Sequence, residues 1–166
     1  MASKLASSLK LTKNVIDEKT AGILDSSVAL FLEFSKSKSF SESIIKDIMK
    51  LIIKIGILDR SGKLNDNDYD CLDHCRVVLE KIVQACSGFL IIDYTYNYEY
   101  LVERFRDLEN GFSLLIGRHL SDRSKCRLDH IFEALTDQTF LDDCFMPNKP
   151  LRELFTNILY QLKELV

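Results

Sequence analysis

The stretch ESIIKDIMKLIIKIGILDR, from Glu42 to Arg60, is the most hydrophobic segment of the 166-residue chain and decides its fold. Its polar side chains follow a single helical stripe, with the i, i+3, i+4, i+7, i+11 spacing of Ser43, Lys46, Asp47, Lys50 and Lys54. A helix that is polar along one stripe and apolar elsewhere needs neighbours on nearly every side. It is too short and too charged to span a bilayer, which takes roughly 20 mostly apolar residues. The stretch therefore predicts the central helix of a bundle.

The composition of the chain is that of a single helical domain. Only 2 Pro and 6 Gly interrupt the sequence, which favours long helices. The formal net charge of -3 gives no general attraction to nucleic acid, so we expect no nucleic-acid partner. The 5 cysteines are odd in number, and the first residues lack the apolar core of a signal peptide. Both features favour free thiols and a cytoplasmic location.

Apolar residues at helical spacing predict about six helices with short joints, which is an all-α, single up-and-down bundle. Ser41 or Ser43 is expected to cap the central helix, and Ser87 with Gly88 to end the next one. Gly62 lies in the turn after the central helix, where a positive φ is expected. We predict helices near residues 17–35, 43–60, 66–86, 98–119, 121–135 and 150–166, with one short helical turn within 136–145.

Residues 1–14 form a short basic segment ahead of the helical domain, which spans residues 15–166. Lys4, Lys10 and Lys13 alternate with leucines there. The segment is either a loosely ordered terminus or a basic amphipathic helix.

Catalytic and metal-binding patterns are missing from the sequence. No phosphate-binding glycine loop is present, and no histidine has a Ser or Cys partner evident from spacing, so we predict that the protein is not an enzyme. Cys71, His74 and Cys75 share one helical turn, but a zinc site would need a further ligand such as His119 or His130. Packing in the buried face is the favoured interpretation, and we predict no metal and no cofactor.

An acidic run opens the helix that begins near Asp66. Asp66, Asp68 and Asp70 suggest a calcium loop at first, but Cys71 stands where an EF-hand requires Gly. The run therefore predicts an acidic first turn, which the helix dipole favours.

Two arginines border apolar surfaces. Arg76 lies at the edge of an apolar helical face, and Arg60 follows the most hydrophobic helix. Each is either a solvated surface arginine or a ligand for an anion at the mouth of an apolar space. The residues alone favour the first alternative and leave the second open.

Four stretches in the same order carry a resemblance to a known family. They are VIDEKTAGILD, then IIKDIMKLIIKIGILDRSG followed by Arg76, then IDYTYNYEYL, and finally RHLSDRSKCRLDHIFEALTD. Together they resemble the tumour necrosis factor-α-induced protein 8 (TIPE) family over roughly Val15 to Val166. The basic segment ahead of this region is shorter here than is usual in that family.

The resemblance implies a bundle around a central apolar cavity that holds the acyl chains of a phospholipid, in particular a phosphoinositide, or a fatty acid. It implies lipid transfer or presentation in signalling, cell death and immune control, with transient peripheral contact with membranes. Arg60 and Arg76 correspond to the family's head-group arginines. The apolar residues expected to line the cavity are Ile48, Ile52, Ile55, Leu72, Leu79, Val83, Leu101, Phe105, Leu108 and Phe112.

A second interpretation stays open. A helical adaptor with a solid core, which binds a signalling protein through its surface, would show the same apolar pattern. Apolar side chains that line a tunnel and those that fill a core share one periodicity.

Overall fold

The computed structural model describes residues 2–34, 37–92 and 94–165, without the side chains of Ala2, Ser3 and Lys4. These ranges contain eight helices and no strand, which confirms the all-α class. The helices are α1 (Ala2–Lys13), α2 (Glu18–Phe34), α3 (Lys38–Arg60), α4 (Asp66–Ile91), α5 (Tyr98–His119), α6 (Asp122–Leu135), α7 (Gln138–Phe145) and α8 (Pro150–Lys163).

The two helices beyond the predicted number are α1 and α7. The basic N-terminal segment adopts the helical alternative, and α1 packs against α3. The predicted single turn near residue 140 is a two-turn helix, because the Asp137 side chain caps it by accepting the N–H of Phe140 at 2.8 Å. The side chain of Lys4 lies outside the described residues, and a domain division at residue 14 stays a prediction.

Six of the helices form a closed circuit of neighbours. In the order α2, α3, α6, α5, α4 and α8, each packs against the next, and α8 packs back against α2. The short α7 contacts α5, α6 and α8. The main buried cluster contains side chains from all of these helices, so the circuit surrounds the hydrophobic core. No helix in the described ranges is long and apolar enough to cross a bilayer.

The central helix α3 begins earlier than predicted and uses its polar stripe differently. It starts at Lys38, and neither Ser41 nor Ser43 caps it, because Ser41 is buried and donates to the carbonyl oxygen of Phe31 at 2.7 Å. The polar stripe of α3 is partly covered by α6. Asp47 pairs there with Arg127, at 3.2 Å from Nε. The tertiary partners therefore override the local capping signals.

The helix α4 runs past its predicted end. Ser87 and Gly88 lie inside it, both buried, and the Ser87 hydroxyl donates to the carbonyl oxygen of Val83 at 2.6 Å. A Cβ on Gly88 would stand 3.2 Å from the Tyr94 ring, so the small residues make room for the following chain. The prediction for Gly62 is confirmed, since it adopts φ +62 in the turn after α3.

Candidate functional site: an apolar cavity and its charged rim

An apolar cavity of about 170 Å³, partly open to the outside, lies between helices of the circuit. Its walls come from α2, α4, α5, α6, α7 and α8. An apolar cavity of about 150 Å³ is known to stay dry and to hold a benzene molecule. The lining residues are Ile23, Ser27, Leu30, Phe31, Leu79, Ile82, Val83, Phe105, Leu135, Phe140, Phe155, Ile158, Leu159 and Leu162.

The helix α8 contributes a large share of this wall because of its sequence spacing. Phe155, Ile158, Leu159 and Leu162 follow the i, i+3, i+4, i+7 pattern of one helical face. Phe140 of α7 forms another part of the wall. It stacks on Phe31 at 5.6 Å between ring centres and meets Phe34 edge-on at 4.9 Å. Rigid aromatic contacts of this kind keep the wall in place.

Three of the ten residues predicted to line a cavity border this one, namely Leu79, Val83 and Phe105. The others lie elsewhere in the apolar interior. Leu101 and Leu108 belong to the buried core, Ile48, Ile52 and Phe112 pack against it, Ile55 is half-buried, and Leu72 packs against a second, smaller cluster. A lining role for these seven stays a prediction.

Arg60 holds the joint between α1 and α2. Its Nη2 donates to the carbonyl oxygen of Val15 at 2.9 Å, while the side chain stays exposed. The joint approaches α3 closely here, because a Cβ on Gly56 would stand 2.5 Å from Val15 Cγ1. Only glycine permits this approach without a shift of the neighbour. A guanidinium has five N–H donors, so Arg60 keeps donors for an anion.

Arg76 stands on the same stripe of α4 as two cavity residues. Leu79 and Val83 follow it at i+3 and i+7, so Arg76 lies about one helical turn before the first of these cavity residues. Its side chain is 61% exposed, and its Nε lies 3.5 Å from the Glu80 carboxylate. Neither Arg60 nor Arg76 borders the cavity itself, and no hydrogen bond or ion pair joins the two.

A polar groove of about 330 Å³ runs along the outside of the cavity between α4 and α8. Glu80, Val83, Gln84 and Lys163 line it, and Val83 borders both spaces. Glu80 and Lys163 were not predicted as site residues from the sequence. The signal available for Lys163 was its position directly after Leu162, at the end of the apolar face of α8.

The two histidines considered as further zinc ligands are bound to carboxylates. His119 Nε2 lies 2.7 Å from Asp68, which also accepts from Arg118 Nη1 at 3.1 Å, and His130 Nδ1 lies 3.0 Å from Asp47. No group of three or more possible ligands is arranged to hold a metal within the described residues.

Hydrogen bonds and burial shift the pKa values of Asp68 and Cys75 in opposite directions. The backbone N–H of Asn65 is the main cause that lowers the pKa of Asp68 to about 2, and His119 and Arg118 add to it. Burial raises the pKa of the Cys75 thiol to about 11, which keeps it protonated and unreactive at neutral pH.

Comparison with known proteins gives matches over most of the chain. The profile of a family described as tumor necrosis factor alpha-induced protein 8-like matches residues 1–166. A tumor necrosis factor alpha-induced protein 8-like protein of Drosophila pseudoobscura pseudoobscura is 29% identical over 95% of this chain and 86% of its own. The protein salivary glands marred of Drosophila melanogaster is 27% identical over the same shares. A tumor necrosis factor alpha-induced protein 8-like protein 1 of Danio rerio is 26% identical over 91% of this chain and 83% of its own.

Proposed function

The chain belongs to the tumor necrosis factor alpha-induced protein 8-like family, and on that premise we propose that it binds a phospholipid, with acyl chains inside the bundle and the phosphorylated head group at basic residues. Membership of the family implies a role in apoptosis and immune regulation. Lipid transfer or presentation, a cytoplasmic location with transient membrane contact, and the absence of catalysis are parts of the same proposal.

The observation that supports the proposal is the apolar cavity between the helices. Fourteen side chains from six helices converge on it, and thirteen of them are apolar. Transfer of an acyl chain from water to such a space is favourable by about 0.8 kcal/mol per CH₂. A volume near 170 Å³ matches a short piece of one chain. Uptake of a two-chain lipid therefore requires the helices around the cavity to move apart.

The head group is assigned to Arg76 and Arg60. Guanidinium groups bind phosphate through charge-assisted, bidentate hydrogen bonds, which suits a phosphoinositide. Arg76 is exposed and close to the cavity wall, and its present partner is one surface carboxylate at 3.5 Å. A surface ion pair of this kind is worth about 0–1 kcal/mol, so a phosphate can displace it at little cost.

Native mass spectrometry tests the proposal. The full chain is incubated with phosphatidylcholine vesicles that contain phosphatidylinositol bisphosphate, separated from them, and weighed intact. We expect a species heavier by the mass of one lipid, which organic extraction identifies. A protein that keeps its unliganded mass after this treatment contradicts lipid binding.

Arginine variants test the head-group assignment. Arg60→Ala with Arg76→Ala should reduce phosphoinositide uptake by at least about tenfold, because charge-assisted hydrogen bonds are lost. Arg123→Ala on α6 is the matched control, since Arg123 is also exposed but borders neither the cavity nor the groove. Circular dichroism should show unchanged helicity in all three proteins. Undiminished lipid uptake by the double variant would show that neither arginine binds the head group.

The adaptor interpretation is the second candidate, and two exposed apolar side chains favour it. Ile92 is 60% exposed and Tyr94 is 65% exposed, and both follow the end of α4. Contiguous apolar side chains on a surface often mark a protein partner. This candidate predicts that Ile92→Ser with Tyr94→Ser abolishes a signalling interaction while lipid uptake is unchanged.

A further inference from the structure

The outer groove and the apolar cavity share one wall residue. Val83 of α4 borders both spaces. On α8 the consecutive residues Leu162 and Lys163 border the cavity and the groove respectively. The wall between the two spaces therefore includes Val83, and Leu162 and Lys163 bring α8 to both of them.

The groove is lined by one cation, Lys163, and one carboxylate, Glu80, and Arg76 lies beside it as the ion-pair partner of Glu80. Lys163 Nζ makes no ion pair with any residue in the described ranges, and it lies 5.9 Å from the ring centre of Tyr160. Arg76 and Glu80 pair with each other at 3.5 Å. A phosphate placed here would meet the Lys163 ammonium and would replace Glu80 as the partner of Arg76.

We propose that this groove is a lateral entrance to the cavity, at which Lys163 and Arg76 bind the phosphate of a lipid while its acyl chain passes between Val83 and Leu162. The inference rests on the proposed function and adds to it the route and the second cation.

The end of the bundle near Arg60 is a less suitable entrance. Leu58, Leu64 and Leu115 form a separate buried cluster at that end, and Arg60 is tied to the α1–α2 joint. Arg60 also fixes the joint against α3 through the Val15 carbonyl, so part of its donor set is already used. Its substitution should therefore reduce uptake less than substitution of Arg76.

The ligand is a lipid rather than a free sugar phosphate because the charged rim leads directly to an apolar wall. A soluble inositol phosphate would use Lys163 and Arg76 alone and would gain nothing from the cavity. Its affinity should be at least about tenfold weaker than that of the corresponding lipid, since burial of only two CH₂ groups already exceeds that difference.

Two variants at the groove should act in opposite directions. Lys163→Glu should reduce uptake of phosphatidylinositol bisphosphate from phosphatidylcholine vesicles by at least about tenfold, because a cation is replaced by an anion. Glu80→Gln should increase uptake by a few fold, because Arg76 loses its competing carboxylate. Lys38→Glu on α3 and Glu103→Gln on α5 are matched controls, since both residues are exposed and lie outside the groove. Intact-mass measurement counts bound lipid in each protein, and titration calorimetry measures soluble inositol trisphosphate.

The outcomes separate the entrance from lipid binding itself. Opposite shifts at positions 163 and 80, with silent controls, support the lateral entrance. Normal uptake by Lys163→Glu, alongside uptake by the unmodified chain, overturns the entrance and leaves the proposed function intact. Equal affinity for soluble inositol trisphosphate and for the lipid overturns the route past Val83. No uptake by the unmodified chain overturns both proposals.

Discussion

The two flanks of α4 differ in how they are held. Towards α5 the helix packs extensively, and the buried Asp68 joins it to Arg118 and His119. The approach is close, since a Cβ on Gly111 would stand 2.5 Å from the Cys75 sulfur. Towards α8 the packing is less extensive, and the cavity and groove occupy part of the interface.

This difference indicates which interface can open. Separation of α4 from α5 would break charge-assisted hydrogen bonds and leave a buried carboxylate without partners, which is costly. The side chains around the cavity already lack neighbours on one side, so they lose fewer dispersion contacts when α8 moves. We therefore expect α4 and α5 to behave as one unit, and α8 to move when a ligand enters.

A matched pair of leucines should show the largest contrast. Leu101→Ala, in the closely packed core of α5, should reduce the free energy of unfolding by about 3–5 kcal/mol. Leu162→Ala, beside the cavity, should cost about 2 kcal/mol or less, because this side chain is only partly buried. Urea unfolding measures both. An equal loss of unfolding free energy in the two variants would show that the cavity side of the bundle is packed as closely as the α5 side.

Asp68 should be the polar residue that matters most for the α4–α5 flank. Asp68→Asn removes the charge that Arg118 and His119 neutralise, so the melting temperature should fall clearly. Asp70→Asn, two residues along and exposed, is the control and should leave the melting temperature unchanged. A similar response in both variants would show that the buried cluster does not hold this flank.

Two valines on α4 distinguish a hollow region from a filled one. Val83→Leu extends into the cavity and should change the free energy of unfolding by less than about 1 kcal/mol, while it reduces lipid uptake. Val78→Leu adds the same methylene to the packed core and should destabilise by about 1–3 kcal/mol. Thermal unfolding measures the stability of both variants. A larger loss of stability in Val83→Leu than in Val78→Leu would mean that the cavity cannot accept the added methylene.

Acid should weaken the α4–α5 flank over a defined range. The pKa of Asp68 is lowered from 3.8 to about 2 in the folded protein, so its contribution is complete above about pH 4 and is lost as the pH falls towards 2. Urea unfolding across this range should show a steeper loss of stability for the unmodified chain than for Asp68→Asn. The same pH dependence of stability in both proteins would show that Asp68 does not cause the loss of stability in acid.

The sequence was sufficient for the features that depend on local spacing. The central helix, the apolar face of α8 and the positive φ of Gly62 could all be predicted. The start of α3 and the end of α4 could not, because Ser41 bonds to Phe31 and Ser87 lies in a buried helix turn. Both are tertiary effects that a capping rule does not contain.

The charged features of the candidate site were harder to predict. Asp68 was correctly expected to be one acid of an acidic first turn, but its partners lie 50 and 51 residues away in sequence. Lys163 and Glu80 meet in one groove through the packing of α8 on α4. The volume of the cavity likewise cannot be predicted from the spacing of apolar residues, because hollow and solid cores have the same apolar pattern.

Photolabelling tests the central claim most directly. A phosphatidylinositol bisphosphate with a diazirine near the end of one acyl chain is bound to the full chain, activated by light, and located by peptide mass spectrometry. The account predicts labels on cavity residues of α4 and α8, such as Leu79, Phe155 and Leu162. Labels confined to exposed apolar residues such as Ile92 and Tyr94 would place the acyl chain outside the bundle and contradict the account.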